Sequence, residues 1–319
     1  MADQLQVRDP NTGRTIDWEG EILDDRAATF AIKLSGGLEK SVPRERVVSW
    51  SAEWTASFSD GLRAADRHDY DTAISLFREA LGQEQRRWVQ RRIVAEMAAA
   101  YAHNGQIQTA AETILLALND DPQTELWDRA PLAWRAETAD GSWQTRASQL
   151  LARDQTPAAR LIAASWLLAG RDRASILPVL RELSQSKEVM IASLAQTQLW
   201  RVEVVTADAN TARRWSEELT RMPPEVRPGG YFLLGQVQAR LQDHRGASLT
   251  WSRIPMLYAH VVPLAPASAI AAAEQLTQLR QDNDARMLYE LVVRDYPKSP
   301  EAAEAQQQLN AITKQRTAR

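Results

Sequence analysis

A spaced set of four residues near the start of this chain recurs at a fixed offset, and that recurrence limits the possible folds more than any other feature. Gly61, Ala73, Phe77 and Ala80 return thirty-seven residues later as Ala98, Ala110, Ile114 and Ala117. Near the other end, Gly235, Ala247 and Trp251 return thirty-eight residues later as Ala273, Ala285 and Tyr289. Three of the four places hold small residues, and the third place holds a bulky one. Two helices can cross closely only where side chains are small, and a large side chain beside the crossing fills the groove. A unit with that logic and a period between about 20 and 50 residues predicts stacked helix pairs, an α-solenoid. Ala73, Ala110, Ala247 and Ala285 are each expected to be buried against a partner helix. Solenoids bind other macromolecules more often than they catalyse reactions.

The spacing resembles the tetratricopeptide repeat (TPR). The copy from Arg91 to Pro122 carries Ala98, Tyr101, Ala110, Ala117 and Pro122 in the family's places, with Ile114 in an aromatic slot and Gly105 in the turn. The copy beginning near Trp54 lacks the first-helix aromatic (Ala64 stands there) and the closing proline (Gln85). Tyr231, Leu234, Gly235, Ala247 and Trp251 make a third copy, and Ala273, Ala285, Tyr289 and Pro297 a fourth. The resemblance implies a non-catalytic scaffold or adaptor that binds a protein or peptide through its concave face. The lining positions would be Phe58, Leu62, Arg92, Ala99, His103, Phe232, Gln236 and Arg240. Apolar Phe58 and Leu62, and Phe232 near the other end, would be exposed anchors; packing of Phe58 and Leu62 under the N-terminal module is the competing account. Some family members clamp a terminal carboxylate with Lys, Asn and Arg, but Phe58 and Leu62 stand in the Lys and Asn places here. The stretch YELVVRDYPKSPEA most resembles units of bacterial cell-envelope TPR proteins.

Residues 1–50 follow a different period. Ile16, Trp18, Gly20 and Ile22 alternate with acidic residues, and Phe30, Ile32 and Leu34 repeat the pattern, as in half-buried strands. Ser35-Gly36-Gly37 supplies a tight hairpin turn, and Val42-Pro43 and Val47-Val48 suggest further short strands. Four or five strands in this length resemble a small SH3-like or Sm-like barrel. It would either bind a peptide or cap the first repeat, with Trp50 and Trp54 joining it to the helices.

TPR-type repeats are expected over 51–122, degenerate helical repeats over 123–227, and repeats with a capping helix over 228–319. In the degenerate part Thr156 and Pro157 start a helix that Gly170 ends, and another from Ala174 carries Pro178 early. Helices over 189–205 and 211–222 follow, closed by Pro223-Pro224. The last helix begins at Ser299-Pro300 and turns Ala302, Ala305, Leu309 and Ile312 inward.

With no cysteine, disulfides and thiolate chemistry are excluded. Four histidines (His68, His103, His244 and His260) without metal-ligand spacing, and no nucleophile elbow or phosphate loop, argue against an enzyme, a bound metal or an organic cofactor. A net charge of −3 gives no global attraction to nucleic acid. The runner-up reading is a nucleic-acid-associated adaptor using the basic run Arg86–Arg92. Eleven tryptophans against four phenylalanines are read as gap fillers between imperfect repeats, with Trp127, Trp134 and Trp143 as the candidates for an aromatic groove. No apolar stretch reaches membrane-spanning length. The start carries no signal-peptide pattern, so the location is cytoplasmic by default, or periplasmic if a leader has been removed.

Overall fold

The computed structural model describes residues 3–135, 141–170, 173–261 and 264–317. These residues form five strands followed by fourteen α-helices, in two compact units, Met1–Pro131 and Leu132–Arg319.

The first unit opens with strands β1 (Asp3–Arg8), β2 (Thr15–Asp25), β3 (Thr29–Leu34), β4 (Glu39–Pro43) and β5 (Val47–Ser51). They pair antiparallel in the order β4-β3-β2-β1-β5. Gly37, at φ 83°, makes the β3–β4 turn, as its sequence context predicted. Gly20 is fixed by a close approach: a Cβ there would lie 2.0 Å from the Lys33 carbonyl oxygen of β3. The alternation of β2 holds but is graded, since Ile16 is 41% exposed while Ile22 is buried. Sequence reading missed β1, although Leu5 and Val7 alternate inward as a half-buried strand requires.

Helices α1 (Ala56–Asp66), α2 (Tyr70–Gln83), α3 (Arg87–His103) and α4 (Ile107–Asp120) follow as two hairpins. Thr55 and Asp69 cap α1 and α2 by accepting from Phe58 and Thr72 N–H. Sheet and hairpins share one core, in which Leu5, Ile22, Phe30 and Ile32 continue into Phe58, Phe77, Trp88 and Tyr101. Trp50, Trp54 and Trp88 stack edge to face with centroids 5.7 to 6.0 Å apart, and the Trp88 indole donates to the Ile22 carbonyl at 2.8 Å. Trp50 and Trp54 thus join sheet to helices.

The second unit contains α5 (Gly141–Arg153), α6 (Pro157–Leu167), α7 (Arg173–Leu183), α8 (Val189–Glu203) and α9 (Ala209–Arg221). After these come α10 (Arg227–Arg240), α11 (His244–Leu257), α12 (Ala265–Gln278), α13 (Asp282–Asp295) and α14 (Pro300–Thr317). Thr156 occupies the N-cap of α6, but its hydroxyl donates to Asp154 at 2.7 Å instead of capping the helix. Pro178 falls inside α7, one residue deeper than a start at Ala174 implies. In α14, Ala305 is buried and Ala302, Leu309 and Ile312 are half-buried, so the expected face does turn inward.

The repeat logic is visible atom by atom. Ala73, Ala110, Ala247 and Ala285 are all fully buried. A Cβ on Gly61 of α1 would lie 2.6 Å from the Phe77 ring of α2, and one on Gly235 of α10 would lie 2.5 Å from the Trp251 indole of α11. The turns repeat too. His68, Gly105, Gln242 and Arg280 all adopt positive φ, between 59° and 76°, at the same place in their hairpins. In each case the next amide bonds back five residues, Asp69 to Ala64, Gln106 to Tyr101, Asp243 to Gln238 and Gln281 to Leu276. That is a Schellman-type helix stop, and three of the four are made without glycine.

Gly235→Ala is expected to destabilise the protein by about 1 to 3 kcal/mol, because the Trp251 ring must move. Gly82→Ala, in α2 with nothing within 4 Å of the new methyl, should stabilise by about 0.5 to 1 kcal/mol. Chemical denaturation of the two variants checks both signs.

Candidate functional site

The arginine run is the most charged stretch of the chain, and its charges are matched inside the first unit. Arg86 pairs with Glu84 at 2.9 Å and lies 3.7 Å from Asp3. Arg87 meets Asp120 at 2.6 Å. Arg91, only 6% exposed, holds Asp24 of β2 and Asp120 of α4 at 2.7 Å each, and donates to the Asp25 carbonyl at 2.6 Å. Arg92 pairs with Asp25 at 2.8 Å and Glu125 at 2.7 Å while its guanidinium lies 4.8 Å from the centre of the Trp50 ring. Arg44 reaches the same two carboxylates, Asp25 and Glu125. All four arginines of the run therefore have carboxylate partners. The expectation of a free basic patch over Arg86–Arg92 is corrected, and the nucleic-acid reading loses the observation it rested on.

These pairs set protonation. Burial pushes the Asp24 carboxyl up, but hydrogen bonds and charge from Arg91 and Arg26 outweigh it and hold the group below its ordinary value of 3.8. Glu84 is likewise held below 4.5, burial opposing and Arg86 prevailing.

The positions assigned by the TPR resemblance fall in different environments. Phe58 is 4% exposed and packs its ring on Trp54 and Phe77, at 5.1 and 5.8 Å. Leu62 is half-buried against the same core. For these two the packing account holds, and exposure is corrected. Phe232 is 5% exposed, and its carbonyl accepts from the Trp251 indole, so it too is a core residue and not an exposed anchor. His103 stacks on Tyr70 with centroids 4.7 Å apart. Arg92 belongs to the clamp just described. Arg240 donates to the Val204 and Ala207 carbonyls, closing the C-terminal end of α8. Trp127, Trp134 and Trp143 are all buried and do not line one groove together; of the three, Trp134 borders a groove, the one described next.

Gln236 is the exception. It lies in a groove of about 580 Å³ in the second unit, beside Leu233 of α10. The wall opposite comes from Arg201, Val202, Val204 and Val205 at the end of α8, and the floor from Trp134, Leu168 and Gly170. Arg135 and Arg173 complete the rim. Trp134 is wedged here by Gly229 of α10, where a Cβ would lie 2.2 Å from the ring. The segment before α5 is pinned to α8 by Gln198, which donates to the Ala133 carbonyl at 3.1 Å, and by Arg201, which donates to that of Arg135 at 3.0 Å. Val205 is 76% exposed at the edge. Sequence reading named two of the lining residues, Gln236 and Trp134, and missed the others because they fall outside the repeat signature. Among the described residues no group of three or more His, Asp or Glu could hold a metal ion, and no helix is long and apolar enough to cross a membrane.

Replacing Arg91 with Met should destabilise the first unit by about 2 to 3 kcal/mol, since two partly buried carboxylates each lose one of their arginine partners and the Asp25 carbonyl loses its donor. Arg63→Met, at an exposed pair with Asp60, should cost less than about 0.5 kcal/mol. The depressed carboxylates give a matching acid dependence. Their contribution is complete above the unfolded values near 4 and is lost as pH falls through the lower folded values. Urea titrations at neutral pH and across the acid range measure both effects.

No family model matches the chain, and a search of curated proteins finds no match. Among solved structures, the assembly chaperone of RpL4 (Acl4, residues 1–338) is similar, with 16% identity, 82% of this chain and 98% of that chain covered, and a TM-score of 0.30. At that identity and score the likeness carries no functional inference.

Proposed function

We propose that this chain is a non-catalytic adaptor of TPR type that binds a protein partner, with the groove between α8 and α10 as the docking site. The observation that carries this reading is the groove itself, an open concavity with a mixed apolar and cationic lining. Concave surfaces of stacked helix pairs are the ordinary binding faces of such arrays. Val205 gives an exposed apolar edge, and Leu233 and Trp134 a buried floor, the arrangement in which a few contacts dominate binding energy.

The first unit has a supporting part in this proposal. Its five-stranded sheet, with a 3-10 turn at Arg44–Arg46 between the last two strands, is taken as an SH3-like module that caps the first hairpins. The stacked tryptophans and the Arg92–Asp25 pair, which join the sheet to α3, support the capping role. A bacterial cell-envelope setting, carried by the stretch around Tyr289 to Ala302, stays part of the proposal.

Val205→Asp should reduce recovery of the specific partner in affinity purification by about tenfold or more, because a charge replaces an apolar contact at the groove's edge. Its melting temperature should stay nearly unchanged, because Val205 is exposed. Equal recovery of the same partners by the variant and the native chain would remove the groove from the account.

A further inference from the structure

The groove of the second unit is one-sided in charge. Three arginines line it, Arg135, Arg173 and Arg201, and no Asp or Glu does among the described residues. Building on the adaptor reading, we infer that its ligand is an acidic peptide segment that carries an apolar anchor residue, held by these guanidinium groups and the Trp134–Leu168–Leu233 floor.

Arg201 is fixed in advance. It donates to the Ser165 carbonyl at 2.6 Å, the Gln198 side-chain oxygen at 2.7 Å and the Arg135 carbonyl at 3.0 Å. A guanidinium already held costs a ligand little ordering entropy. Arg135 contributes least, because Glu301 takes it at 2.6 Å. Arg173 is the opposite case. It is exposed, it begins α7, and no hydrogen bond or ion pair involves its side chain among the described residues. A carboxylate ligand would pair with the guanidinium groups of Arg173 and Arg201.

The whole chain carries a formal charge of −3, so the groove is a local exception and not part of a basic surface. At physiological salt the screening length is about 8 Å. Attraction to an acidic segment therefore acts within the groove and does not come from the molecule as a whole. The groove volume, about 580 Å³, suits a few side chains and not a folded domain. The apolar share of the lining then selects for a segment with an aliphatic or aromatic residue among its carboxylates.

The test uses the full chain and three labelled synthetic peptides with identical leucines, whose flanking residues are all Glu, all Gln or all Lys. Fluorescence anisotropy should give the Glu peptide an affinity at least about tenfold above that of the Gln peptide, weakening as salt rises. Arg173→Glu should abolish that preference, and Val205→Asp should weaken both peptides. Thermal melts matching the native chain exclude misfolding of either variant. Equal binding of Glu and Gln peptides, both weakened by Val205→Asp, overturns the charge inference and leaves the groove as a docking site. A preference for the Lys peptide in the native chain overturns the inference as well. Failure of all three to bind overturns both the inference and this groove as the docking site.

Discussion

In α1–α2 and α10–α11 two helices lie close together because one presents no side chain where the other presents a ring. Gly61 against Phe77 and Gly235 against Trp251 each leave less than 3 Å for a Cβ, and in α3–α4 and α12–α13 an alanine, Ala98 or Ala273, stands at the same place. The four repeat alanines are buried in these hairpins. The turn of all four repeats uses a left-handed residue, even where that residue is His68, Gln242 or Arg280 and the conformation is costly for an L side chain. Local strain is accepted because the packing it permits outweighs it.

Charge organises the first unit in the same internal way. The run from Arg86 to Arg92 occupies successive faces of α3, and its carboxylate partners come from the sheet, from α4 and from the turn beyond it. Paired and partly buried charges of this kind fix which surfaces meet more than they add net stability. The tryptophan cluster supplies the apolar part of the same joint. A region that reads as a binding patch in one dimension is therefore an internal joint in three.

The helix pairs of the four repeats and their buried alanines were legible because they follow short-range periodicity, which any window of sequence displays. So were β2, β3 and the turn at Gly37, whereas α5 was not foreseen. The strand β1 was missed because it sits at the chain start with only Leu5 and Val7 facing inward. The sense of the arginine run was hidden by distance: Arg91 finds Asp24 sixty-seven residues away and Asp120 twenty-nine away. The exposure expected of Phe58 and Phe232 failed for a related reason. A family position marks the concave side of a regular array, but Phe58 is taken up between Trp54 and Phe77 and Phe232 by the helix-pair interface. Apart from Gln236 and Trp134 the groove was invisible, because Leu168, Arg173, Arg201 and Val205 belong to segments where the repeat signature fades and only the fold brings them together.

The central claim, that close helix approach at a small residue governs each hairpin, can be measured as a coupling energy. A double-mutant cycle of Gly235→Ala with Trp251→Leu separates the clash from every other effect of the two changes. The smaller leucine side chain should leave room for the methyl. Gly235→Ala should therefore cost at least about 1 kcal/mol less in the Trp251→Leu background than in the native one. Strict additivity of the two substitutions would contradict the account, because it would mean that residues 235 and 251 do not constrain each other.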